Sequence, residues 1–82
     1  MLTDQQYEEL TELIKHAFQP WDVVDYLIDD TKDDVISLVV TIQIAKVPFN
    51  PPFLWSSLQI TQTRYKCTRY LPLDYFDSAG SL

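Results

Sequence analysis

Between Val35 and Val47 the chain alternates with a period of two. Ile36, Leu38, Val40, Ile42 and Ile44 fall on one side; Ser37, Val39, Thr41 and Gln43 fall on the other. Successive side chains of a strand point to opposite faces, so this spacing predicts a strand with one wholly aliphatic face. Such a face must be covered by a second layer. A matching cover lies upstream, where Tyr7, Leu10, Leu13, Ile14, Ala17 and Phe18 recur at helical spacing and form one apolar stripe. Thr3 is the expected N-cap, with Gln6 three residues on completing a capping box and Leu2 and Tyr7 at the flanking staple positions. Asp4, Glu8 and Glu9 lie toward the positive end of the helix dipole. Pro20 restricts Gln19 and ends the helix near Phe18.

Residues 21–29 admit two readings. Trp21, Val24, Leu27 and Ile28 share a helical face opposite Asp22, Asp25 and Asp29, which favours a short second helix. The alternative is a strand, because Val, Tyr and Ile prefer strands and residues 29–34 would make a polar hairpin turn. Pro48, Pro51 and Pro52 end the strand that begins at Val35. A second long strand is predicted from Leu54 to Tyr70, with a bulge near Thr61–Arg64 to reconcile the parity of Leu58 and Ile60 with that of Tyr65 and Cys67. Residues 71–76 are expected to pack across an edge. The expected fold is thus a small α+β domain over residues 1–76. In it an N-terminal amphipathic helix, with a short second helix, packs on an antiparallel β-hairpin or three-stranded sheet. Residues 77–82 are expected to form a flexible tail.

Length and composition fit that outcome. A chain of 82 residues has room for one core, and 46% apolar residues suffice to build it. The single cysteine, Cys67, precludes an internal disulfide and is expected to be a small half-buried hydrophobic side chain in a reducing compartment. No apolar run reaches the ~18 residues of a membrane span, and the start lacks the basic and apolar regions of a signal peptide. A cytoplasmic location is expected, with no membrane partner.

The residues argue against most enzyme chemistry. His16 and Cys67 are the only residues of their kinds, so a nucleophile–base pair would have to be built from those two. One His and one Cys cannot complete a zinc site without carboxylates or a second chain. The run from Asp29 to Asp34 lacks the glycine turn and distal glutamate of a calcium loop, and Lys32 interrupts it. Gly80 is the only glycine, which excludes glycine-dependent phosphate loops. No cofactor is implied. Arg64, Lys66 and Arg69 alternate with Tyr65 and Tyr70, a pattern that suits single-stranded nucleic acid, but three cations are few beside so many carboxylates. Direct nucleic-acid binding is not expected.

Charge is strongly segregated. Residues 1–34 carry ten acids and two bases; residues 35–82 carry two acids and four bases. Asp22, Asp25, Asp29, Asp30, Asp33 and Asp34 crowd into thirteen positions. That cluster can simply be a solvated face that keeps the chain dispersed. Its mutual repulsion nevertheless costs tenths of a kcal/mol per pair on a helix, which a binding role would justify. The expected role is docking on a basic surface of a partner protein, imitating phosphates if that surface normally binds nucleic acid. Phe49, Phe53 and Trp55 around the prolines form a second candidate contact, unless their rings fold back on the core. The expected function is therefore that of a small acidic inhibitor or regulator, of a kind that phages and mobile elements encode, acting as a monomer or homodimer. The alternative is a structural subunit in which the acidic half of one copy meets the basic strand of the next.

Overall fold

The computed structural model describes residues 2–45 and 47–80, with side chains through residue 77. The first helix, α1 (Asp4–Ala17), starts as its spacing predicts. The Gln6 N–H donates to Thr3 Oγ1 at 3.1 Å, and the Thr3 N–H donates to Gln6 Oε1 at 2.9 Å. Two of the orphan donors of the first turn are thereby satisfied. Leu10, Ile14 and Phe18, spaced four apart, point from α1 into the core and are at most 1% exposed. Full burial of each contributes about 1.5–3 kcal/mol. The chain then reverses, with the Trp21 N–H donating to the Phe18 carbonyl at 2.8 Å across a cis Gln19–Pro20 peptide.

Residues 21–29 are not helical. Asp22–Asp29 form strand β1, paired antiparallel with β2 (Val35–Gln43) along its length. The pairing slips between Val23 and Asp25, where a bulge inserts Val24. That extra residue breaks the period of two, and the remaining apolar positions then imitate helical spacing. Propensity and the need to pair one edge of β2 decide the outcome.

On β2, Ile36, Leu38, Val40 and Ile42 are at most 1% exposed, the aliphatic face that the alternation required. The predicted long strand over 54–70 is instead two, β3 (Ser56–Gln59) and β4 (Arg64–Pro72). The chain reverses between them, with the Ile60 and Thr61 N–H groups donating to the Arg64 carbonyl at 2.9 and 3.3 Å. The parity change that suggested a bulge is this turn, after which a new strand sets its own facing. The sheet therefore has four antiparallel strands, in the order β1-β2-β4-β3, rather than two or three. A second helix is present, but it is α2 (Tyr75–Gly80), beyond the sheet. Its Tyr75 and Phe76 pack edge to face, 5.1 Å between centroids, against the core. The last two residues of the expected tail lie outside the described residues.

The core lies between α1 and one face of the sheet, closed by Cys67 and Leu71 from β4 and Trp55 from the loop before β3. No described helix is long and apolar enough to cross a membrane.

Candidate protein-docking face

The sheet has one face under α1 and one face open. Which side chains occupy the open face follows from register, because residues directly opposite in an antiparallel pair share a face. Asp22 is opposite Gln43, Asp25 opposite Thr41 and Asp29 opposite Ser37. Gln43, Thr41 and Ser37 have the parity opposite to the buried Ile42, Val40 and Leu38, so all three aspartates belong to the open face. The bulge is what unites them. Asp22 and Asp25 are three residues apart, and in a regular strand they would point to opposite sides. With Val24 set aside by the bulge, Asp25 falls into line with Asp22 and Asp29.

The same rows continue into β4. Gln43 faces Arg64, Thr41 faces Lys66 and Ser37 faces Tyr70. The Arg64 Nε–H donates to Gln43 Oε1 at 2.8 Å, which engages this guanidinium on β2, and it forms no ion pair with Asp22. The open face is thus anionic along the β1 edge and cationic along β4. Between and beside them stand exposed apolar side chains, Leu27, Leu58 and Tyr70, each 60–67% exposed.

No described lysine, arginine or histidine forms an ion pair with any of the six clustered aspartates. The salt bridges among the described residues are both on α1, where Glu12 meets Lys15 at 3.9 Å and His16 at 3.8 Å. Lys32, in the β1–β2 turn, instead places its ammonium 5.9 Å from the centre of the Tyr70 ring. Asp33 and Asp34 are exposed in that turn.

Three of the predicted docking residues carry bonds within the chain as well. Asp25 Oδ1 accepts from the Tyr26 N–H at 2.9 Å. The Asp29 carboxylate accepts from the Thr31 hydroxyl at 2.6 Å and the Thr31 N–H at 2.9 Å, and these bonds hold its carboxyl below the usual range. Asp30 turns toward the helix, where its Oδ2 accepts from the Leu2 N–H at 2.9 Å. That bond, with lesser help from the Tyr7 hydroxyl, depresses its pKa as well. Asp30 therefore anchors the start of the chain instead of joining the open face.

The aromatic candidates divide in the same way. Phe49 stacks among Phe18, Trp21 and Tyr65, with centroids 4.8–6.5 Å apart, and Trp55 is 6% exposed against Phe18. Both fold back on the core and offer little to a partner. Phe53 is 87% exposed at the tip of the loop. It precedes Leu54, whose φ of 75° lies in the left-handed region, in a turn closed by the Trp55 N–H donating to the Pro52 carbonyl at 3.0 Å.

His16 and Cys67 are not brought together. The imidazole projects into solvent from α1, whereas the thiol has no exposed surface and burial pushes its pKa up to about 11. Among the described residues no three His, Cys, Asp or Glu side chains converge as a metal site. A cleft of about 490 Å³ between α1 and β1, with Thr11, Lys15, Val23, Val24 and Tyr26 in its walls and Asp22 and Asp25 also lining it, has no counterpart in the sequence reading. Comparison with protein-family models, curated proteins and solved structures returned no match.

Proposed function

We propose that this protein acts by binding another protein, presenting the carboxylates of β1 to a cation-rich surface and so inhibiting or regulating its partner. One observation carries the reading: Asp22, Asp25 and Asp29 share the open face of an edge strand, and no described cation of the chain forms an ion pair with them, Lys32 acting on Asp29 only at longer range. Carboxylates left unpaired at a surface are available to Lys and Arg of a partner, where charge complementarity selects the correct surface and rejects anionic ones. A partner that normally holds nucleic acid fits this chemistry best. The reading involves no catalysis and no cofactor, and the reduced, buried Cys67 fits a cytoplasmic setting.

The test is capture from a host lysate by the intact chain and by its D22K/D25K/D29K variant. The parent retains a discrete partner at low salt and releases it when ionic strength shortens the screening length from about 10 Å at 0.1 M toward 3 Å at 1 M. The variant retains none, with an unchanged circular dichroism spectrum. Full retention by the variant, or salt-insensitive binding, refutes the proposal.

Arg64 and Lys66 on the same open face as the aspartates favour a second reading, self-assembly. Two copies related by an axis parallel to the strands would bring β1 of each over the β4–β3 side of the other. Light scattering separates the readings: a monomer at micromolar concentration and physiological salt excludes assembly.

A further inference from the structure

We infer that the partner contributes an extended segment in which Lys or Arg alternates with apolar residues, and that this segment adds to the sheet as a fifth strand beside β1, in the cleft under α1. The inference rests on the reading that β1 is the binding element and specifies how it binds.

β1 is eight residues long and pairs with β2 on one side only. An edge strand offers unpaired N–H and carbonyl groups to any chain that can lie alongside. Here the far side of that edge opens into the cleft, whose other wall is α1. The helix stands over β1, with Thr11 Oγ1 3.5 Å from the Tyr26 hydroxyl. The Tyr26 N–H currently bonds the carboxylate of its neighbour Asp25 at 2.9 Å, a local contact that an incoming carbonyl can replace.

The two faces of β1 dictate what the added strand must look like. Val23, Tyr26 and Ile28 have the inward parity, opposite Ile42, Val40 and Leu38. Residues of the added strand that point the same way stand beside Val23 and Ile28 and enter the cleft. Its walls are apolar at Ile14, Val23 and Val24 and polar at Thr11, Gln19, Asp22 and Asp25, so apolar side chains there pack on Ile14, Val23 and Val24. Those that point the other way stand beside Asp22, Asp25 and Asp29. Neighbouring strands lie about 4.8 Å apart, with side chains of adjacent positions about 5 Å apart, so Lys or Arg there reaches the carboxylates. Lys15 on the α1 rim is the one described cation in the cleft wall, and Glu12 already partners it.

The occupant is not a second copy of this chain. Pairing β1 with β1 would set aspartates against aspartates. The other edge of the sheet, β3, is four residues long, Ser56–Gln59, and contains no cation. A different protein must supply the alternating segment.

The experiment titrates the isotopically labelled full chain with a short capped peptide of alternating lysine and valine, and with its twin N-methylated at every residue. The twin keeps the charge but cannot pair as a strand. Expected is salt-sensitive binding of the first peptide, with amide shifts and slowed exchange confined to β1 and the facing side of α1. Binding of the twin falls about tenfold or more, the loss that even one or two backbone hydrogen bonds represent. Equal affinity of the twin overturns strand addition and leaves the charge-based docking intact. Shifts spread over the outer acids of α1 instead of β1 overturn the site. Undiminished binding of the first peptide to the D22K/D25K/D29K variant, or binding of neither peptide, overturns the underlying reading as well.

Discussion

Cys67 makes the packing of the core measurable through pH. It sits on β4 opposite Val40, on the face under α1, with no exposed surface. Desolvation there raises the thiol from 9.0 to about 11. An unfolded chain ionises its thiol at the lower value, so alkali stabilises the unfolded state before the folded one. The contribution is fully present below pH 9 and is lost as pH rises toward 11, above which the loss levels off. Each unit of difference corresponds to 1.36 kcal/mol. The full loss is therefore about 3 kcal/mol, and at pH 10 the folded chain has given up about 1 kcal/mol. The assay is urea unfolding followed by tryptophan fluorescence at several pH values between about 8 and 10, on the parent and on Cys67→Ala. The alanine variant shifts the whole curve down by a constant cavity cost. Titration of the tyrosines and lysines is common to both proteins and cancels in the difference. The parent should lose about 1 kcal/mol more than the variant by pH 10. Parallel pH profiles would show that water reaches the thiol in the folded chain, and the packing of α1 over Val40 and Cys67 would have to be abandoned.

Two further outcomes follow from named contacts. Deleting Val24 should leave a regular β1 with Asp22, Asp25 and Asp29 still on the open face, because the residues on either side already occupy consecutive register positions opposite Ile42 and Thr41. Circular dichroism should be unchanged and stability should stay within about 1 kcal/mol of the parent; loss of the fold would show that the bulge is structurally required. The depressed carboxyl of Asp30 contributes stability above the ordinary carboxylate range and loses it as pH falls through the lowered folded value. Asp30→Asn should accordingly flatten the acid arm of a Tm–pH profile, and an unchanged arm would refute the anchoring of the Leu2 N–H.

The elements easiest to read were those with a single uninterrupted period. Ile36 to Ile42 and Leu10 to Phe18 each declare one face, and the structure packs those two faces together. β1 stays ambiguous between helix and strand in the sequence because one inserted residue, Val24, destroys the alternation locally, and only pairing with β2 reveals that it is an insertion. The β3–β4 reversal was misread for a related reason. Thr61, Gln62 and Thr63 form a turn without glycine or proline, so the chain gives no conventional signal there. At the candidate site, proximity in sequence gathered the aspartates but could not assign them to faces. Asp30 lies beside Asp29 in the chain, yet its carboxylate is taken by Leu2, a residue twenty-eight positions away. Phe49 and Trp55 likewise depend on contacts with Phe18 that no local pattern encodes.

A sheet that is negative along its outermost strand and positive two strands inward has an electric moment running across the strands, in the plane of the bare face. Near a surface of strong positive potential such a molecule experiences a torque before it makes any contact, and it arrives with β1 leading. Ionic strength would then lower how often encounters are productive and, by screening the carboxylates from the partner's cations, shorten the lifetime of the complex as well.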